Sequence, residues 1–464
     1  MDQPRTREVD VAELLETRSM GRFQWLMLLF GCLILFVDGL DFSAINVGAP
    51  AILRAFGAQK TQMGFVVSAG FVGILIGSLV FGYIGDKFGR KAGAIAGVLA
   101  YSIPALLTVF ATSLDQLAMF RFLSGLGMGG VVPNVIAFLT ETAPKPYRAT
   151  FVMVAYMGYS FGNASIAQVA AWLIPSLGWT VVFVTAGSVG LLLAAALPFV
   201  LPESIAYLAA KETDSPQLRR LVKAAAPDVN FADDTRFVLR RPAAHEKFSL
   251  KLLITEERRI ATPLLWLGFF AESLVYMTFA TWFSVVLEQA GLSPQQAALT
   301  FSAAYGGAMV AIFGLARLVD AFGPNATIIT AAGAIAAFLV MGTPGLSGAA
   351  IVAAGVLAMS CSSSTHQALN GIVGGFYPTV VRSNGAGYAS GMGRAAAIIG
   401  PPIAGYLLGA SLPLQTVLVM MVSPYLVVIA VCLALSRLKK KMTAKTAAEE
   451  AQVLGKEWSP ATST

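Results

Sequence analysis

Gly82-Tyr83-Ile84-Gly85-Asp86-Lys87-Phe88-Gly89-Arg90-Lys91 joins one apolar segment to the next, and 234 residues later Asp320-Ala321-Phe322-Gly323 stands at the equivalent place. The same shift lays Asp38 on Glu272, Gly57 on Gly291, Pro144 on Pro378 and Arg148 on Arg382. One offset that holds from the first apolar segment of each half to the fifth marks an internal duplication. Paired six-helix repeats are an architecture of membrane transporters that rock around a midplane site. Passage of a solute across a membrane is therefore the leading expectation.

Composition agrees with the repeat. Apolar residues make up 56% of the 464, charged residues 12%, and mean hydropathy is +0.71. A soluble domain carries about twice that charged share. Apolar runs lie near 23–51, 64–85, 92–112, 115–140, 150–173, 180–200, 263–288, 297–319, 326–345, 348–374, 384–409 and 413–436. Each can cross a hydrocarbon core of about 30 Å, and in lipid each must be helical because no water satisfies its backbone. The expected fold is an all-α membrane protein of twelve transmembrane helices in two pseudo-symmetric six-helix bundles. The expected layout is a lead-in 1–22, a first bundle 23–200, a charged linker 201–262, a second bundle 263–436 and a polar tail 437–464. The lead-in reads as amphipathic or disordered and the linker as partly helical along the inner membrane face. The 45 glycines suit helices that approach closely in lipid.

All but four of the 32 Lys and Arg fall on one side if both termini are cytoplasmic. Arg54 and Lys60 lie outside, and Arg121 and Arg394 lie within spans. The net charge of +7 and isoelectric point near 9.3 then record topology, and no nucleic-acid partner is expected. Cys32, Cys361 and Cys432 sit in apolar runs without metal or disulfide spacing, so no metal and no cofactor is expected, protons being the coupling ion. The N-terminus lacks a signal-peptide core and cleavage site, so the first span is expected to remain as an anchor.

Ionisable residues inside the spans are functional candidates by default. Asp38 and Asp41 share one helical face about 4.5 Å apart along the axis, and counting from Arg22 puts them roughly 24 to 28 Å in, in the outer half. Arg121, entering from outside, reaches a similar depth. It opens Arg121-Phe122-Leu123-Ser124-Gly125-Leu126-Gly127-Met128-Gly129-Gly130, whose small residues let the helix pack tightly or bend. Two acids and one arginine in a low-dielectric space should split, one ionised by pairing and one free to carry a proton. Either acid could play either part. Glu272 is a second proton site or the counter-ion of Arg394. Arg394 lies 12 residues past Arg382, about 18 Å in and near the midplane, where its guanidinium can take a carboxylate bidentately. His366 could donate to a substrate hydroxyl, titrate, or simply pack. Tyr156, Tyr159, Tyr276, Trp282 and Tyr305 could stack on an aromatic ring.

In the 82–91 stretch, Gly82, Gly85 and Gly89 allow a tight turn and close helix approach. Asp86 can accept from a neighbouring helix terminus, and Arg90 can pair with an acid there, beside Lys91. Such a latch would hold the inner side shut in one state and break in the other. The echo at Asp320 has Pro324 and Asn325 in place of the basic pair, so the latch should be asymmetric.

These strings resemble the major facilitator superfamily: its G-x-x-x-D-R-x-G-R-K signature, with Lys87 where Arg is commoner, its span-4 R-x-x-x-G-x-G-x-G motif at Arg121, and its PES motif at Pro202-Glu203-Ser204. Within it, Asp38-Gly39-Leu40-Asp41, Gln367-Ala368-Leu369-Asn370, Phe376-Tyr377-Pro378-Thr379, Arg382-Ser383-Asn384-Gly385-Ala386-Gly387-Tyr388 and Gly391-Met392-Gly393-Arg394 are similar to the aromatic acid:proton symporter family. That resemblance covers the spans, apart from the central loop and tails. It implies proton-driven uptake of an aromatic carboxylate such as a hydroxybenzoate-like acid across a bacterial inner membrane, by a monomer, with Gln367 in the substrate site and Arg382 in the gating motif.

Two rivals stay open, proton-driven efflux of a drug-like compound and a sensor built on the transporter fold. An enzyme is not expected, because the spans hold no nucleophile–base set, metal cluster or phosphate loop.

Overall fold

The computed structural model describes residues 8–211, 215–232, 235–239, 253–255, 258–323, 325–377 and 379–439. Inside its helices, the side chains of 312, 313, 316, 319, 320, 374, 375 and 379–383 lie outside that description. The gating roles expected of the Asp320 and Arg382 side chains therefore fall outside the described residues.

The chain begins with β1 (Glu8–Asp10) and α1 (Val11–Glu16). Then come α2 (Arg22–Phe56), α3 (Lys60–Phe88), α4 (Arg90–Leu107), α5 (Leu114–Thr142), α6 (Arg148–Leu177) and α7 (Thr180–Val200). The linker holds α8 (Ile205–Lys211), α9 (Pro216–Ala225) and β2 (Arg236–Val238). The second half runs through α10 (Ala261–Gln289), α11 (Pro294–Phe322), α12 (Asn325–Met341), α13 (Gly348–Phe376), α14 (Thr379–Gly409) and α15 (Leu414–Lys439). Most helix ends overrun the apolar runs by a few residues because caps and polar first turns extend a helix beyond its lipid-soluble core. Ser113 and Ser347 each accept from a backbone N–H three residues on, satisfying donors that a helix start leaves unpaired.

Among the described residues, eight helices, α2 to α5, α7, α10, α13 and α15, are long and apolar enough to cross a membrane by length and composition. The apolar α12 is shorter, at 17 residues. The long helices α6, α11 and α14 run 30, 29 and 31 residues. These three also make the joint between the halves, where α14 packs on α3, α11 on α6, and α10 on α2.

The tightest packing is α3 against α5. A Cβ on Gly77 would lie 1.9 Å from the Leu126 carbonyl oxygen, and one on Gly125 would lie 2.1 Å from that of Gly70. The small-residue string after Arg121 is therefore a backbone-on-backbone seam. Outside the bundles, β1 pairs in parallel with β2, Glu8 beside Arg236 through Asp10 beside Val238. Asp10 caps α1, Val11 and Leu15 are buried, Arg18 pairs with Asp228 at 2.5 Å, and Glu16 meets Arg148 at 2.9 Å. The lead-in from Glu8 onward is thus docked against the linker, not disordered, and this strand pair is a small departure from an otherwise helical chain. Three-residue strands with mixed charge carry no alternation for a sequence reading to find.

The seam makes a direct prediction. Gly77→Val should cost roughly 1–3 kcal/mol by overpacking and lower the melting temperature of the detergent-purified protein. Gly82→Ala, where an added Cβ meets nothing within 4 Å, should leave melting unchanged or slightly higher. Equal melting of the two variants would contradict this packing.

Candidate functional site

The first half buries an ion pair in its interior. Asp41, fully buried, accepts from Arg121 Nη2 at 3.2 Å and Nη1 at 3.4 Å, and from Ser124 Oγ at 2.7 Å. The Arg121 guanidinium also lies 5.0 Å from the Phe183 ring centroid, a cation over an aromatic face. Arg121 thus ties α5 to α2 and rests on α7. Asp38, one turn away on α2, is also buried, but its Oδ1 has no hydrogen-bond partner among the described residues. Tyr101 on α4 and Tyr156 and Tyr159 on α6 lie within electrostatic reach of Asp38.

The second half repeats the theme with different chemistry. Glu272, at the position equivalent to Asp38, is fully buried and bonds through Oε2 to His366 Nδ1 at 2.8 Å and Ser273 Oγ at 3.2 Å. Its Oε1 has no partner among the described residues. The Tyr276 ring stacks on His366, centroids 5.0 Å apart and planes within 16°, and Tyr276 hydrogen-bonds with Ser363. Arg394 is not the counter-ion of Glu272, which corrects one of the two sequence-based alternatives. Its Nη1 crosses to the first half and donates to Ser78 Oγ on α3 at 2.9 Å. Arg394 is exposed and within electrostatic reach of Tyr156, which also feels Asp38. Which way each side chain turns is decided by packing, which helix register alone does not show.

Of the candidate ring-stacking residues, Tyr159 packs near Phe42 and Tyr156, centroids 5.8 and 6.4 Å away, and it interacts with Tyr276 and Tyr305 of the other half. Tyr305 stands close to Ser43 on α2, so it reaches across to the other half. Trp282 does not belong to this group. It is fully buried and its Nε1 donates to the Pro401 carbonyl at 3.0 Å, pinning α10 to α14. Gln367 is exposed one residue past His366, about 100° around α13, and is not brought to the cluster.

The halves are joined at the end remote from the chain termini. Arg54 pairs with Glu288 at 2.7 Å, Lys60 Nζ donates to the Leu408 carbonyl at 2.8 Å, Ser68 Oγ to that of Ile398 at 2.6 Å, and Gln168 Nε2 to Ser302 Oγ at 3.0 Å. Along α3 these bonds fall between Lys60 and Ser78. Beyond Ser78, the 82–91 motif bonds within its own half. Arg90 holds Asp86 at 2.5 Å and Glu141 at 3.3 Å. Ser204 Oγ donates to Glu141 Oε2 at 2.5 Å, and Glu203 accepts from the Lys91 backbone at 3.1 Å. Lys91 Nζ reaches the Pro198 carbonyl at 2.6 Å. Gly89 has φ +108° and Glu203 occupies the place of its missing Cβ, while the Asn134 side chain lies against Gly85. Gly82 faces open space, so the close approach expected of it is absent. Glu141, Ser78, Ser43 and Ser124 were not foreseen. Glu141 ends an apolar run like any topogenic charge, and single serines in a helix carry no signal.

Known proteins resemble this chain along most of its length. The family model described as Major Facilitator Superfamily matches residues 31–364 and again 265–463. A gallate transporter of Pseudomonas putida is 33% identical over 411 residues, covering 88% of this chain and 91% of that protein. The 4-hydroxybenzoate transporter PcaK of Acinetobacter baylyi is 30% identical across 90% and 92% of the two chains. A benzoate transport protein of the same species is 30% identical across 88% of each. Among solved structures, a bacterial homologue of the human lysosomal transporter Spinster superposes with TM-score 0.68 at 18% identity, covering 91% of this chain and 99% of that one. The xylose transporter XylE of E. coli gives 0.66 at 14%, covering 90% and 98%, and both share the all-helical fold. This multi-pass membrane protein belongs to the Major Facilitator Superfamily, in the family that holds these aromatic acid transporters.

Proposed function

We propose that this chain imports an aromatic carboxylate of hydroxybenzoate type together with protons, by alternating access. In this reading twelve helices span the bacterial inner membrane, both termini are cytoplasmic, and the monomer is the working unit. The observation that carries it is Arg394, a guanidinium at the joint between the halves whose described partner is a neutral hydroxyl. Five N–H donors on a fixed fork suit a carboxylate, and Tyr156 and Tyr159 stand near to flank a flat ring. The named cargoes of the relatives, gallate, 4-hydroxybenzoate and benzoate, are all acids of this kind.

Asp38 is our choice for a coupling proton site. Asp41 already has Arg121 and Ser124, whereas Asp38 is sealed with an unpartnered oxygen, a costly state for a carboxylate that never takes a proton. With the termini inside, bonds at the remote end make this the state closed to the outside. The 82–91 motif, whose bonds among the described residues lie within its own half, then engages the second half when the inner side shuts.

Proteoliposome uptake across benzoate-type, phenylacetate-type and cinnamate-type acids tests the reading. Arg394→Ala should weaken carboxylate binding by about a hundredfold, the roughly 3 kcal/mol of a lost charged hydrogen-bond pair, and unchanged affinity would refute the site. Asp38→Asn should abolish accumulation while leaving substrate exchange. Accumulation that survives this change, or that ignores a collapsed proton gradient, would refute the coupling.

A further inference from the structure

The transport reading uses one carboxylate for protons, yet the duplication supplies two in matching places. Asp38 and Glu272 lie 234 residues apart, on α2 and α10, helices that pack together across the joint. Both are buried, and each keeps one oxygen without a hydrogen-bond partner among the described residues. The other buried acid of the first half, Asp41, has its arginine. Among the described residues Glu272 has no such cation; it has an imidazole.

We propose that Glu272 and His366 form a second proton-binding site, so that two protons accompany each carboxylate. The proposal rests on the transport reading above. The Glu272 side chain is itself sealed, whereas the His366 side chain is 28% exposed. His366 therefore links Glu272 to the solvent side, taking a proton at its outer nitrogen while Nδ1 faces the carboxylate. The stacked Tyr276 ring holds the imidazole at that angle. Around Glu272, α13 contributes His366, α15 contributes Tyr425, and α10 itself contributes Tyr276. Tyr305 of α11 stands against Tyr276. Of the two other neighbouring helices, α14 contributes Arg394, bonded to Ser78, and α2 contributes Asp38, which faces Tyr101, Tyr156 and Tyr159. The groups set against Glu272 are thus neutral or titratable, and a proton is the cation that fits its open oxygen. One monoanion with two protons moves one net positive charge inward per cycle.

The full-length protein in proteoliposomes, with 4-hydroxybenzoate as probe and charge movement recorded on a supported membrane, gives the test. The unaltered protein should move one charge per substrate, and its accumulation should rise about fifty-fold per 100 mV, inside negative. Glu272→Gln should keep substrate exchange but move no net charge and lose the voltage dependence. His366→Asn, which keeps the carboxylate, should do the same and serves if Glu272→Gln fails to fold. Electroneutral uptake by the unaltered protein, or one charge per substrate retained in either variant, would overturn the second site. If the unaltered protein takes up none of the aromatic acids, the transport reading fails instead.

Discussion

A charge inside a bilayer must find its partner within the protein, and the Asp41–Arg121 pair is where this chain meets that demand most completely. Neither group reaches water, and both would be prohibitively placed alone. Their contact locks the first helix of the half to the fourth, and the glycine seam beside it brings the second, α3, against the same helix. The rigid first bundle that results is the frame on which α3 presents Ser78 and α6 presents its tyrosines to the other half. Breaking the pair would leave a buried cation or anion uncompensated, so the pair constrains every arrangement the bundle can adopt.

The duplication shows what was kept and what diverged. Arg54 and Glu288 occupy equivalent positions in the two halves and bond to each other, so the pseudo-twofold axis passes between them at the closed end. At the other end the symmetry is lost. Arg90, Glu141, Ser204 and Glu203 form a network in the first half, while the basic pair that would copy it is Pro324 and Asn325 in the second. An unequal inner end is reasonable for a molecule whose halves must separate there without a matched set of bonds to exchange.

Much of this was legible in the sequence because membranes impose one-dimensional rules. Span order follows from apolar length, and depth follows from the fixed rise of a helix. Asp38, Asp41, Arg121, Glu272 and Arg394 were found because an ionisable residue in an apolar run is conspicuous. What remained hidden was rotation about the helix axis. The sequence left Glu272 open as a counter-ion of Arg394, yet Arg394 turns to α3 and Glu272 to α13. Trp282 stood among plausible cavity aromatics because nothing in the string shows that its indole turns to the Pro401 carbonyl. The strand pair at Glu8–Asp10 and Arg236–Val238 joins segments too short and too distant for any periodic signal.

The closed end and the buried acids also bear on each other. Ser43 lies two residues past Asp41 on α2, bonds Asn163 of its own half and stands close to Tyr305 of the other. Any rotation that opens the remote end must draw Tyr305 away from Ser43 and shift the same turn of α2 that carries both aspartates. Access to the buried aspartates and separation of the halves are therefore motions of one helix segment. In the proposed cycle, a segment that both joins the halves and bears the Asp38 carboxylate ties proton access to their separation without any relay between distant parts.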